Sequence, residues 1–90
     1  MALTPMSEYE VMPCEDPTLL GVISKYFLRK GLKSMVNDDG IPYFANGDKT
    51  RAPAFFTGSQ NRTACIHLDP RDPEFETIKA EVGELLGATI

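Results

Sequence analysis

Residues 63–86 read TACIHLDPRDPEFETIKAEVGELL, and the change of period inside this stretch decides the fold. From Thr63 to Asp69 apolar and polar side chains alternate. Ala64, Ile66 and Leu68 share one face, with Thr63, Cys65, His67 and Asp69 on the other, the pattern of a strand buried on one side. Asp72-Pro73 then supplies a helix start. Aspartate is a preferred N-cap, and proline at the first helical position gives up no hydrogen bond because that N–H has no partner there. Over 73–86 the period lengthens: Phe75, Ile78, Val82, Leu85 and Leu86 fall on an arc of about 100°, and Glu74, Glu76, Glu81 and Glu84 lie opposite. Gly87 is the natural stop. A strand with one apolar face followed by a helix with one apolar face implies two layers, helix on sheet.

Upstream, the same start signal recurs at Asp16-Pro17. Leu19, Leu20, Val22, Ile23, Tyr26 and Phe27 fall on an arc of about 160°, and Gly31 follows Arg29-Lys30, cations suited to the negative end of a helix dipole. The spacing predicts a helix over 17–30. Between the two helices lie short strands: Leu32 to Val36, Ile41 to Ala45 and Ala54 to Thr57. Asn37-Asp38-Asp39-Gly40 forms a hairpin turn, with glycine supplying positive φ. Asn46-Gly47-Asp48 is a second turn, Lys49 to Pro53 a basic loop, and Gly58 to Asn61 another loop. Pro42 cannot donate to a ladder, which predicts an edge strand or an outward N–H side.

Residues 1–15 carry Pro5, Pro13 and three methionines with no helical period. They read as an irregular N-terminal arm, with a short strand over Tyr9 to Met12, ahead of a single domain over 16–90. The expected order is (β)-α-β-β-β-β-α: a small two-layer α+β domain with a mostly antiparallel sheet and two helices on one face. The arm's large side chains, Leu3, Met6, Tyr9, Val11 and Met12, are candidates to anchor an extended contact on another surface.

The chain has 90 residues, 42% hydrophobic and 24% charged, which fits one globular domain and excludes wholesale disorder. A domain of this size buries only about 60–65% of its unfolded surface, so oligomerisation or docking is the usual supplement to stability. The net charge of −4 resides in the C-terminal third: residues 63–90 hold Arg71 and Lys79 against Asp69, Asp72, Glu74, Glu76, Glu81 and Glu84. A strongly basic nucleic-acid binder does not have this balance, and the acidic end reads as a solvated helix face. The start, MALTPMSEYE, has no basic stretch followed by an apolar run, so two reduced thiols, Cys14 and Cys65, in the cytoplasm are expected and the sequon at Asn61 is taken as chance. No apolar run approaches the ~20 residues of a membrane span.

Few residues suggest chemistry. Cys65 and His67 are i and i+2 on one strand face, ~6.5–7 Å apart, too far for a direct nucleophile–base pair. The zinc set Cys14, Cys65, His67 and Asp69 has no supporting ligand spacing. Asn46 to Thr50 lacks the first glycine and the following helix of a phosphate loop, and the helix glutamates lack the low-dielectric cleft that paired catalytic carboxylates need. No catalytic residue, metal or cofactor is expected.

Two clusters suggest binding. Lys49, Arg51 and Arg62 with Phe55 and Phe56 combine cations with aromatic faces, the ingredients of single-strand nucleic-acid binding. Lys25 and Arg29 on the first helix would have to join them for useful affinity. Leu28 lies on the otherwise polar side of that helix beside Gly21 and Ser24, a knob suited to close packing on another protein. The reading is a non-catalytic protein that binds other proteins or itself: an assembly component of the kind found among phage products, within the cytoplasm or a virion assembled there, or an inhibitor of a host factor. The alternative is a nucleic-acid-binding regulator using residues 49–62.

Overall fold

A computed structural model of the chain describes residues 5–16, 18–58 and 64–87. After a 3-10 turn over Met6–Glu8 come β1 (Glu10–Cys14), α1 (Leu19–Arg29), β2 (Lys33–Val36), β3 (Pro42–Ala45), β4 (Ala54–Gly58), β5 (Ala64–Leu68) and α2 (Phe75–Gly87). The sheet order is β1-β5-β4-β3-β2 and every neighbouring pair is antiparallel. Strands β2 to β5 form a meander, and α1 carries the chain from one sheet edge to the other. The two-layer α+β architecture expected from the sequence is the one observed.

Most signals have a structural counterpart, although α1 runs Leu19–Arg29, behind Thr18 at its N-cap position, rather than over 17–30. The Asp16 carboxylate accepts from the Thr18 N–H at 3.0 Å ahead of α1. At the other end Gly31 adopts φ +87, and the Gly31 N–H donates to the Leu28 carbonyl at 3.1 Å. Gly40 adopts φ +80 in the β2–β3 turn, where Asn37 Oδ1 accepts from the N–H groups of Asp39 and Ile41, each at 2.9 Å. The turn chemistry therefore sets the β2–β3 register, in which Met35 faces Tyr43.

Both helices cover one face of the sheet. Ile23 and Phe27 from α1 and Ile78 and Val82 from α2 share a buried cluster with Phe44, Phe56, Ile66 and Leu68. The Phe27 ring stacks on Phe44 with centroids 5.0 Å apart. Helix α2 lies over β1 and β5: Lys79 Nζ pairs with Glu10 at 2.7 Å, and Met12 Cε lies 3.9 Å from the position of a Cβ at Gly83. Burying each large apolar side chain contributes about 1.5–3 kcal/mol, so this cluster is the main source of stability.

Three expectations are corrected. The short strand expected over Tyr9 to Met12 runs instead from Glu10 to Cys14 and pairs with β5 along its length, so the sheet begins well before residue 16. Its pattern is in fact period two, with Met12 and Cys14 turned to the core and Val11 and Pro13 outward. Pro42 meets its expectation in the second form: it is the first residue of an inner strand, and the β3–β4 pairing of Tyr43 with Phe55 and Phe44 with Ala54 stops short of it. The glutamates of α2 are not all on a solvated face: Glu81 accepts from the Tyr26 hydroxyl at 2.9 Å, and Glu74 pairs with Lys30 at 3.3 Å and Arg51 at 2.8 Å. Helix α2 also starts at Phe75 rather than residue 73, because Asp72 holds the Glu74 N–H at 3.0 Å in a turn first.

Candidate functional site

The sheet face away from the helices has no covering layer among the described residues. Register places Val11, His67, Phe55, Tyr43 and Met35 in one row across all five strands of this open face. The N-terminal turn folds over one end. The Tyr9 hydroxyl donates a short hydrogen bond to the Ala52 carbonyl, and its ring packs on Phe55 at 4.9 Å. Burial, aided by the nearby Asp69 and Asp72 carboxylates, pushes the Tyr9 phenol up to about 12. On the far side of Phe55 the His67 ring stacks at 4.2 Å and nearly parallel.

Between Tyr9, Phe55 and the β2–β3 hairpin lies a concavity of about 200 Å³. Met6, Ile41, Tyr43 and Ala45 complete its apolar lining, and Lys49 stands at it as the single charged group among the described lining residues. Lys49 is held by its turn. The Lys49 N–H donates to the Asn46 carbonyl at 3.1 Å, Asn46 Oδ1 accepts from the Arg51 N–H at 2.9 Å, and Asp48 holds Thr50 through its hydroxyl at 2.8 Å. These bonds impose φ +59 on Lys49, the left-handed region, at a cost of about 1–2 kcal/mol relative to glycine. No ion pair ties its ammonium among the described residues.

Elsewhere on the open face a hydroxyl and an imidazole meet. Thr57 Oγ1 and His67 Nε2 are 2.8 Å apart, and burial lowers the His67 pKa, so the ring is held neutral. That is a hydroxyl–imidazole contact of hydrogen-bond length, but no carboxylate orients Nδ1 among the described residues, and a nucleophile needs that third group. Cys65 lies opposite Thr57 on the open face, whereas Cys14 is in the core on the other face, so the sheet separates the two thiols. Burial pushes the Cys14 thiol up, away from the reactive thiolate. Among the described residues no group of His, Cys, Asp or Glu is placed to hold a metal ion, and no helix is long and apolar enough to cross a membrane.

The predicted binding residues scatter. Arg51 does not face a ligand: its guanidinium grips the buried Asp72 carboxylate through Nε and, at 2.8 Å, through Nη2, and reaches Glu74. These carboxylates raise its pKa further. Phe55 is 5% exposed beneath Tyr9 and His67, and Phe56 is in the core. Arg62 lies outside the described residues, as does Leu3. Of Lys49 and Arg51, the described cations of the 49–62 region, only Lys49 has no ion pair among the described residues, and Lys25 and Arg29 belong to another element, α1. Those two lie on the outward side of α1 with Leu28, 49% exposed, and Val22, 45% exposed. Of the arm residues, Tyr9 and Met12 pack on their own domain, and Met6 and Val11 stay exposed.

Sequence reasoning missed Ile41, Tyr43 and Ala45 as surface-forming residues. Their i, i+2, i+4 spacing over Ile41 to Ala45, into and along β3, was the available signal. No protein-family model, curated protein or solved structure matches the chain.

Proposed function

We propose that this chain is a non-catalytic protein-binding module that works through its open sheet face. The observation that supports this is the apolar row and concavity on the side of the sheet that neither helix covers. An uncovered antiparallel face is ordinarily polar on the solvent side, and a contiguous apolar patch there marks a contact surface. The outward stripe of α1, with Val22, Lys25, Leu28 and Arg29, is a further place for protein contact, but it offers no concavity for an anchor. An assembly role fits a module of this size, whose own core is small.

Native mass measurement tests the reading. The tagged chain, recovered from an extract of its source under gentle conditions, is expected in a species of defined higher mass. Tyr43→Ser should abolish that species while leaving the melting transition within a few degrees. A complex that survives Tyr43→Ser and Met6→Glu unchanged would remove the open face from the function.

A further inference from the structure

The concavity on the open face has a size and a charge that name its occupant. At about 200 Å³ it falls below the roughly 300–1,000 Å³ usual for cofactor and small-molecule sites, and it suits one large side chain. Pockets of that kind, lined by aromatic groups, hold the anchor residues that dominate protein interfaces. Tyr9, Phe55 and Tyr43 provide the aromatic wall, and Met6 adds an adaptable thioether at the rim. Within the lining the charge is of one sign, and the carboxylate of the neighbouring Asp48 is taken up by Thr50. Lys49 is the charged residue of the lining, it has no ionic partner among the described residues, and no described lining residue is acidic.

The lysine is also in an unexpected place. Its turn demands φ +59, where glycine or asparagine sits with less strain. A lysine thus lines an apolar hollow at a position where the backbone alone favours another residue. Lys33, on the open-face side of β2, has its Nζ 3.8 Å from a Cβ position at Gly47 in the same turn, so a second cation lies beside this turn.

Resting on the protein-binding reading above, we infer that the concavity takes one large apolar side chain of a partner polypeptide whose neighbouring carboxylate pairs with Lys49. The recognised chemistry is an acidic peptide with an apolar anchor. The hollow supplies affinity by desolvating the anchor, and Lys49 supplies orientation and on-rate.

A displayed library of random peptides, panned on the immobilised full chain, tests this. Enriched peptides should share a leucine, methionine or aromatic residue next to aspartate or glutamate. A synthetic peptide of the enriched sequence should bind more weakly as salt rises, and roughly five- to tenfold more weakly to Lys49→Glu. A peptide with lysine in place of its acid should recover affinity on Lys49→Glu. Met6→Glu should abolish binding, and it keeps the test valid if Tyr43→Ser fails to fold. Enriched peptides that need Met6 and Tyr43 but carry no acid and ignore Lys49→Glu would overturn this inference and leave the binding face standing. Peptides indifferent to all three variants, or no enrichment, would overturn both. A doubled native mass of the chain alone that Met6→Glu abolishes would show a second copy in the hollow and overturn the acidic-peptide assignment.

Discussion

Phe55 and Phe56 are neighbours on β4 and almost equally buried, 5% and 6% exposed, yet they belong to different parts of the molecule. Phe56 faces two helices and meets Phe27 and Phe44 at centroid distances of 6.5 and 5.2 Å. Phe55 points the other way, under Tyr9 and against the His67 ring. The covered face is held by regular elements packed around it, the open face by a single turn and two rings. Fractional burial does not separate the two situations; the number and rigidity of the covering elements do.

The largest test of this difference is one charge placed on each face. Val82→Asp puts an unpaired carboxylate where exposure is 0%, and the cooperative unfolding transition should be lost. Val11→Asp makes the same chemical change at a site 51% exposed and should alter stability by less than about 0.5 kcal/mol. Comparable losses from both would mean that the open face is as constrained as the core.

The phenylalanine pair comes next. Phe56→Ala should cost about 3–5 kcal/mol in urea denaturation, because helices and strands on every side cannot collapse into the cavity. Phe55→Ala should cost about half of that, since Tyr9 and the turn over Met6–Glu8 can settle into the space. Hydrogen exchange should then quicken at residues 6–9 in the Phe55 variant only.

A smaller effect is expected where the two faces are tied together. Arg51 leaves the loop before β4 and clamps Asp72, whose side chain is 1% exposed, and Glu74 at the entrance to α2. Asp72→Ala removes the buried partner and the turn bond from the Glu74 N–H, but Glu74 continues to hold the guanidinium. A loss of about 2 kcal/mol is expected, less than the full cost of an orphaned buried charge. No loss in that variant would mean that Arg51 carries no structural role and is free for a ligand.

How much of this was legible depended on how local each signal was. The alternation in β5, the presence of both helices and the Asn37–Gly40 turn rest on residues close together in the chain, and all are observed, although each helix begins about two residues after its Asp-Pro signal. The strand expected over Tyr9 to Met12 is present as β1, but its extension to Cys14 was obscured by Pro13, since only β5, some fifty residues later, gives that segment a partner. Arg51 looked like a ligand-binding cation for the same reason, since Asp72 is 21 residues away in sequence. The concavity needs the N-terminal turn, the hairpin and the Lys49 loop together, a juxtaposition that no local pattern encodes.

Alkaline pH reports on the segment that covers Phe55. The Tyr9 phenol ionises near 10 when exposed and near 12 in the fold, so the folded state binds that proton more tightly. Its stabilising contribution is complete below pH 10 and should fade as pH rises toward 12. Tyr26 shifts in the same direction through burial and its bond to Glu81, so the Tyr9 share is read by difference. Tyr9→Phe should lose about 1 kcal/mol at neutral pH and show a shallower alkaline decline. Equal slopes in the two proteins would mean that Tyr9 is not sealed against Ala52.

The smallest effect belongs to His67, the one histidine in the chain, which makes it separable. Burial lowers its pKa from 6.5, so the unfolded chain takes up a proton at a pH where the folded chain does not. Stability is therefore fully present above pH 6.5 and lost as pH falls through the lower folded value. The paired carboxylate Glu74 is also depressed, from an ordinary 4.5, and so begins to lose its contribution only in more acid solution. The interval just below pH 6.5 is left to the imidazole. Urea midpoints of the wild type should decline across it, and those of His67→Gln should stay flat, the glutamine amide still able to reach Thr57. Because His67 is only half-buried on the open face, the decline should be small. A peptide seated on that face would desolvate the ring further and move the decline to lower pH. An unmoved decline with saturating peptide would place the bound segment away from His67, toward the Lys49 end of the sheet.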